Sequence, residues 1–157
     1  MKVTVVLLLG VFLAGPLPAE RNERRPIQVF VLAGQSNMQG QGVVDLDHPQ
    51  YYNGGKGTLL HVMQNTKTPD LYAHLQDDKG DWVVRNDVHV RYRVKDGDDV
   101  EAVKKGGLSI GFSGYPGRHH IGPEFQFGHV LGDHFDQPVV LIKTAWGGKS
   151  LYKDFRP

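Results

Sequence analysis

Two short apolar runs constrain the fold of this chain more than any other feature of its sequence. Residues 27–33 read Ile-Gln-Val-Phe-Val-Leu-Ala and stop at Gly34, and residues 139–142 form a second run after Pro138. Such runs are typical of strands that are covered on both faces in a parallel sheet. Residues 123–135 predict a helix between them, because Pro123 suits a first helical turn. The sequence therefore predicts an α/β crossover unit.

The segment between the first strand and the helix, residues 40–122, is a long excursion rich in Gly, Asp, Asn and Lys. Within it, residues 82–94 alternate between apolar and polar side chains, which predicts a two-stranded antiparallel β-ribbon with its turn near residues 85–87. A short further strand is predicted for residues 108–112. Excursions of this length usually carry function.

The N-terminus has the pattern of an export signal. Lys2 precedes an apolar run, residues 3–14, that is too short to cross a bilayer, which takes about 20 residues. We expect a signal peptide over residues 1–19, a linker over residues 20–26 and one domain over residues 27–157. The mature protein is expected to be exported, secreted or periplasmic, with no stable membrane span.

Composition excludes several classes of function. The 157 residues contain 18 Lys plus Arg against 17 Asp plus Glu, and this balance argues against nucleic acid as a partner. There is no cysteine, so disulfides, thiolate nucleophiles and Cys-based zinc sites are excluded. The pairs His119 with His120 and His129 with His134 do not have the spacing that aligns two ligands, and we expect surface or loop histidines. The sequence predicts no cofactor and no metal.

The tetrad Gly34-Gln35-Ser36-Asn37 follows the first strand directly. The carboxyl end of such a strand is where α/β folds place their ligands. A tight turn there exposes the Ser36 hydroxyl, and its peptide N–H groups can face a developing oxyanion. Gln35 and Asn37 are candidates for substrate binding or loop support. The alternative is a polar turn that caps the next helix, and the residues alone leave both interpretations open.

Three segments together resemble one family. Val-Phe-Val-Leu-Ala-Gly-Gln-Ser-Asn-Met at 29–38 is similar to the nucleophile block of the SGNH hydrolase superfamily, within the carbohydrate esterases that include sialate O-acetylesterases and family 6 acetylxylan esterases. Ile-Gly-Pro-Glu-Phe at 121–125, with Phe-Gly at 127–128, resembles its helix-start motif. Leu-Ile-Lys-Thr-Ala-Trp-Gly-Gly-Lys-Ser-Leu at 141–151 resembles its second-strand loop. The resemblance implies a flavodoxin-like three-layer α/β sandwich with a parallel sheet.

The resemblance also implies a chemistry. Ser36 would attack the ester carbonyl of an acetylated carbohydrate and form an acyl-enzyme. The Ser36 N–H and a glycine N–H would hold the oxyanion, and we favour Gly147 over Gly148. The family's later Gln-Gly-Glu block, and the Asp-x-x-His block that lies near the end of its complete domain, do not occur before Pro157. We therefore expect the N-terminal part of the domain, truncated after the second core strand, with little turnover because the serine lacks its base.

Four alternatives remain open. Asp45-Leu46-Asp47-His48 has Asp-x-x-His spacing and would supply a local base. Gly148-Lys149-Ser150 resembles the end of a phosphate-binding loop but lacks its first glycine. Trp82, Tyr92 and Tyr115 could form a platform for sugar stacking, although such aromatic residues more often pack in a core. The whole domain could also be a non-catalytic carbohydrate-binding fragment.

Overall fold

The computed structural model describes residues 26–46, 48, 50, 53–95, 103–150 and 152–156. Its strands and helices, in chain order, are β1 (Gln28–Gly34), α1 (Ser36–Gln39), β2 (Gly42–Val43), α2 (Leu59–Asn65), β3 (Arg85–Arg93), β4 (Val103–Leu108), β5 (His120–Ile121), α3 (Glu124–His134) and β6 (Val139–Ala145). Two short 3₁₀ helices, Pro69–Leu71 and Ala73–Leu75, precede β3. The predicted signal peptide and all of the predicted linker except residue 26 lie outside the described residues.

The main sheet has the strand order β1-β6-β3-β4. β1 pairs parallel with β6, β6 pairs parallel with β3, and β4 is antiparallel to β3. The predicted α/β class, with neighbouring parallel strands at the two apolar runs, is confirmed. A second, two-stranded sheet joins β2 to β5 and holds the chain after α1 against the chain before α3.

The predicted turn at residues 85–87 is wrong, because β3 is one strand from Arg85 to Arg93, although its register against β4 shifts between Arg85 and His89. The antiparallel partner of β3 is β4, and both strands join the main sheet. We attribute the extended conformation at the start of β3 to Arg85. Its guanidinium donates hydrogen bonds to the carboxylates of Asp87 and Asp133 and to the carbonyl oxygen of His129. These contacts anchor a segment of turn-forming residues to α3.

The predicted short strand at residues 108–112 is also wrong for most of its length. β4 ends at Leu108, and the chain then turns at Ile110 and Gly111.

The core lies between α3 and one face of the main sheet. That face carries Val88, Val90 and Leu141, and the buried side of α3 carries Phe125 and Leu131. The alternation of β3 is confirmed, because Val88, Val90 and Tyr92 are buried whereas His89, Arg91 and Arg93 are exposed.

The other face of β1 is exposed in the part of the chain that the structure describes. Val29 is 56% exposed and Val31 is 65% exposed, so the prediction of a first strand covered on both faces is not met there. Among the described helices, none is long and apolar enough to cross a membrane.

Candidate active site

The register of the main sheet brings the ends of two predicted motifs together. Gly34, the last residue of β1, pairs with Ala145, the last residue of β6. The chain leaves β1 through Gln35 into Ser36, and it leaves β6 through Trp146 into Gly147. Because the strands are parallel, both loops emerge at the same edge of the sheet. The predicted nucleophile and the predicted oxyanion donor therefore lie on neighbouring loops.

Ser36 begins the one-turn helix α1 and is half-buried, whereas its neighbours Gln35 and Asn37 are exposed. Its hydroxyl donates a long hydrogen bond of 3.4 Å to Gln35 Oε1. The backbone turn is closed by Gln39 N–H, which donates to Gln35 O at 2.7 Å, and by Gly40 N–H, which donates to Ser36 O. Gly40 has φ +102, a conformation that glycine adopts without strain. The hydroxyl is thus presented on a tightly fixed loop.

Gln39 is a site residue that the sequence analysis missed. Its side chain fills the space between the β6 loop and the loop that contains Gly114. A β-carbon on Gly147 would lie 3.0 Å from Gln39 Oε1, and one on Gly114 would overlap Gln39 Nε2. The position of Gln39 three residues after Ser36, on the same side of a helical turn, was the available signal.

A buried ion pair joins α3 to β6, the strand that ends at the site. Lys143 Nζ lies 2.7 Å from Glu124 Oε2, and the two side chains are 0% and 1% exposed. Lys143 also donates to Phe112 O at 2.6 Å, and Glu124 Oε1 accepts the Gly122 N–H at 3.0 Å. Burial raises the pKa of Glu124 and lowers that of Lys143, while each charge opposes the shift of the other. The pair ties the start of α3 to β6.

Lys104 fixes the loop that follows β4. Its ammonium donates to the carbonyl oxygens of Gly111, Ser113 and Tyr115 at 2.8–2.9 Å. Burial lowers the pKa of Lys104. The Gly114 N–H of the same loop donates to Gln39 O at 3.2 Å, so the loop is held on one side by Lys104 and on the other by α1.

The alternative of a local base at Asp45-x-x-His48 gains no support from the contacts of Asp45. The Asp45 carboxylate pairs with His119 at 2.6 Å, and His48 Nδ1 accepts the backbone N–H of Gln50.

The prediction of surface or loop histidines is wrong for two residues. His120 is 8% exposed and His129 is 2% exposed, and each has one buried ring nitrogen without a hydrogen-bond partner. Burial lowers the pKa of both rings, that of His129 to about 4. The described residues contain no cluster of three or more His, Asp or Glu side chains that could hold a metal ion.

The remaining sequence motifs have structural roles. Lys149 Nζ lies 3.6 Å from Asp154, whose carboxylate also accepts the Ser150 N–H, so Gly148-Lys149-Ser150 belongs to a turn closed by an acidic side chain. This turn is unsuited to a phosphate.

Trp82 packs edge-on to Phe125, and Tyr92 is fully buried with its hydroxyl donating a hydrogen bond to Ala145 O. Of the three aromatic residues considered for a sugar-stacking platform, only Tyr115 is exposed, by 39%.

Comparison with known proteins identifies a family for this chain, but it identifies no individual protein that is significantly similar. Searches among curated proteins and among solved structures found no significant match. The family described as "carbohydrate esterase, sialic acid-specific acetylesterase" matches residues 26–157, which is most of the chain. This span includes all three segments on which the resemblance was based. The chain belongs to the family of sialic acid-specific acetylesterases, a family of carbohydrate esterases.

Proposed function

We propose that this protein is a serine carbohydrate esterase that removes O-acetyl groups from sugars or polysaccharides through an acyl-serine intermediate. The family membership supports ester hydrolysis on a carbohydrate. The observation that carries the assignment of roles is the pairing of Gly34 with Ala145, which sets the Ser36 loop beside the Gly147 loop. Ser36 is the proposed nucleophile and Gly147 the proposed oxyanion donor.

The proposed reaction uses these two loops in turn. Ser36 Oγ forms a bond to the acetyl carbonyl carbon, and the carbonyl oxygen becomes an oxyanion held by the N–H groups of Ser36 and Gly147. Collapse releases the sugar hydroxyl and leaves acetyl-Ser36, which water hydrolyses. Gln35 and Asn37 flank the nucleophile and are proposed to support the loop or contact the sugar. A general base must take the serine proton in the first step and pass it to the sugar oxygen as the bond from the carbonyl carbon to that oxygen breaks.

We further propose that the 157-residue chain hydrolyses esters slowly. Within the described residues, the hydroxyl of Ser36 bonds the Gln35 amide oxygen, which accepts no proton at neutral pH. A serine without a base is a weak nucleophile. The same observation favours the second candidate function, a non-catalytic carbohydrate-binding chain.

Labelling with a fluorophosphonate tests the nucleophile. We expect slow modification that mass spectrometry places on Ser36 and that Ser36→Ala abolishes. In a version that also carries the family's Asp-x-x-His block, Ser36→Ala should remove most of an effect of about 10⁶-fold on kcat. Ser150→Ala is the matched control, because Ser150 lies in a turn after β6 and should leave labelling unchanged. Unchanged hydrolysis by Ser36→Ala in that version would overturn the assignment.

Export is a separate proposal, supported by Lys2 and the apolar run at residues 3–14. Mass spectrometry of the protein from its native host should show a new N-terminus after Ala19. An intact Met1 on a cytosolic protein would contradict it.

A further inference from the structure

Lys104 holds the loop that follows β4 by hydrogen bonds that all come from one ammonium group. Its Nζ donates to the carbonyl oxygens of Gly111, Ser113 and Tyr115 at 2.9, 2.8 and 2.8 Å. A lysine ammonium has three N–H donors, so the loop takes the full set. The acceptors belong to alternate residues, and their carbonyl oxygens converge on a single point. Without the ammonium, three partial negative charges would face one another there.

The residues between those acceptors bond to the elements that form the candidate active site. Phe112 O accepts from Lys143 of β6 at 2.6 Å, and the Gly114 N–H donates to Gln39 O at 3.2 Å. The loop is therefore tied to Lys104 by its odd-numbered residues and to β6 and α1 by its even-numbered ones. A loop held in this way cannot move at Lys104 without moving at α1.

Gln39 extends this connection to the proposed nucleophile and the proposed oxyanion donor. Its backbone lies in the same one-turn helix as Ser36. Its side chain lies against Gly147, where a β-carbon would be 3.0 Å from Gln39 Oε1, and it fills the space beside Gly114. Coupling between distant groups is carried by such chains of packed side chains and hydrogen bonds. One continuous chain of contacts therefore runs from Lys104 to both loops of the site.

We propose that Lys104 is a positioning residue for the proposed esterase reaction. By holding the loop at residues 111–115, it keeps Gln39 in place. Gln39 in turn sets the spacing between Ser36 and Gly147. The inference rests on the proposed function for its link to catalysis, and Lys104 acts through position alone because the loop engages all of its donors.

The geometry of an oxyanion hole makes such positioning matter. Its donors act when they lie about 2.7–3.1 Å from the developing charge, so a small displacement of the Gly147 loop weakens them. A misplacement of about 1 Å in an active site can lower a rate by about 100-fold.

Chemical rescue tests whether the ammonium itself holds the loop. Lys104→Ala removes the atoms of n-propylammonium and leaves three carbonyl oxygens that suit a small cation with N–H donors. We expect this variant to shift the NMR amide signals of Gly114, Ser36 and Gly147, and added propylammonium to move them back. Tetramethylammonium, which lacks N–H donors, and n-propanol, which lacks the charge, should not restore them.

Labelling of Ser36 with a fluorophosphonate tests the effect on reactivity. The maximal labelling rate of Lys104→Ala should fall by about tenfold, while the probe concentration that gives half of this rate stays nearly the same. Propylammonium should restore part of the rate. Lys104→Met should show the same loss, and it keeps the length of the side chain if the alanine variant does not fold.

The matched control is Lys105→Ala, which removes the same side chain from the next residue of β4, where it is exposed. It should leave the labelling rate and the amide signals of Ser36 and Gly147 unchanged. Unchanged signals or an unchanged labelling rate in both Lys104 variants would overturn the proposal. So would equal restoration by propanol and propylammonium, because the filling of space would then explain the effect.

The positioning role and the nucleophile can fail separately. If the original chain is not labelled at Ser36, the nucleophile is rejected, and the amide signals alone decide whether Lys104 holds the two loops. If the original chain is labelled and both Lys104 variants are labelled at the same rate, the positioning role is rejected and the nucleophile stands.

Discussion

Gln39 and Gly114 show how closely single residues are fitted around the proposed nucleophile. The Gln39 side chain occupies the space that a β-carbon on Gly114 would need, and it also lies against Gly147. The backbone of the two residues is joined by the hydrogen bond from Gly114 N–H to Gln39 O. Glycine at position 114 is therefore a consequence of glutamine at position 39.

We expect Gly114→Ala to destabilise the fold by about 1–3 kcal/mol, since the added methyl group overlaps the Gln39 amide. The double variant Gln39→Ala with Gly114→Ala should recover part of this loss, because the space is then free. Urea unfolding of the two single variants and the double variant measures the coupling.

Gly80→Ala is the matched control for this prediction. Gly80 has φ +83 and open space around it, so alanine is strained there and Gln39→Ala should bring no recovery. Strictly additive effects of Gln39→Ala and Gly114→Ala would contradict the proposed contact.

Local sequence signals identified Ser36 as a candidate, and the family resemblance added Gly147. The structure places their loops side by side. Gln39 was missed because its role depends on two loops that are distant in sequence. The same holds for Asp45, whose carboxylate binds His119 instead of a nearer histidine, because the pairing of β2 with β5 brings those residues together. The sequence predicts which side chains lie at the ends of strands. It does not predict which side chains of the long segment between β1 and α3 will contact them.

Among the elements, α3 and β6 are joined by the buried pair of Glu124 and Lys143. A lysine inside an otherwise apolar strand was the sequence signal for a buried partner. Glu124 could be assigned to the start of a helix from its position, but its contact with Lys143 depends on how α3 crosses the sheet. Each side chain also hydrogen-bonds the backbone: Glu124 accepts the Gly122 N–H, and Lys143 donates to Phe112 O.

Removal of one partner should be costly. We expect Glu124→Leu or Lys143→Met alone to lower the free energy of unfolding by about 3–5 kcal/mol, because the remaining charge is buried without its counterion. The double variant should lose less than the sum of the two single losses. Chemical denaturation of the three variants checks this.

Asp87→Asn provides the comparison for an exposed ion pair. Asp87 is 50% exposed in its pair with Arg85, and its loss should cost at most about 1 kcal/mol. A cost for Lys143→Met as small as that of Asp87→Asn would show that the buried pair contributes little.

β3 illustrates where prediction of elements failed. The alternation of apolar and polar residues predicted correctly which side chains are buried, because it depends only on the geometry of one strand. The same pattern does not reveal the partner strand. Asn86 and Asp87 favour turns locally, but the contacts of Arg85 with Asp133 and His129 keep this segment in the sheet.

At the scale of the whole molecule, the core makes stability depend on pH through His129. The ring is buried between His74 and Phe125, and burial lowers its pKa from 6.5 to about 4. The unfolded chain therefore binds a proton as the pH falls through 6.5, whereas the folded chain does so only near 4. The contribution of His129 to the free energy of unfolding is therefore fully present above pH 6.5, and it declines as the pH falls from 6.5 towards 4.

Acidification from pH 7 to pH 5 should cost about 2 kcal/mol through this residue. His129→Leu should flatten the pH dependence of the unfolding free energy over that range. The control is His134→Gln, which replaces an exposed histidine in the last turn of the same helix and should leave the dependence unchanged. An unaltered slope in His129→Leu would show that other groups cause any acid sensitivity.

The pairing of β1 with β6 also has a consequence for synthesis on the ribosome. Thr144 of β6 lies against Leu32 of β1, which is 112 positions earlier in the chain. The ribosome therefore synthesises β1 long before β6, the strand with which it pairs. During that interval the apolar side chains of β1 have no native neighbour in the sheet, and contacts of such long range form slowly. Nascent chains that stall before β6 should therefore depend on chaperones, and codon changes that slow translation between β1 and β6 should lower the yield of folded protein without altering one amino acid.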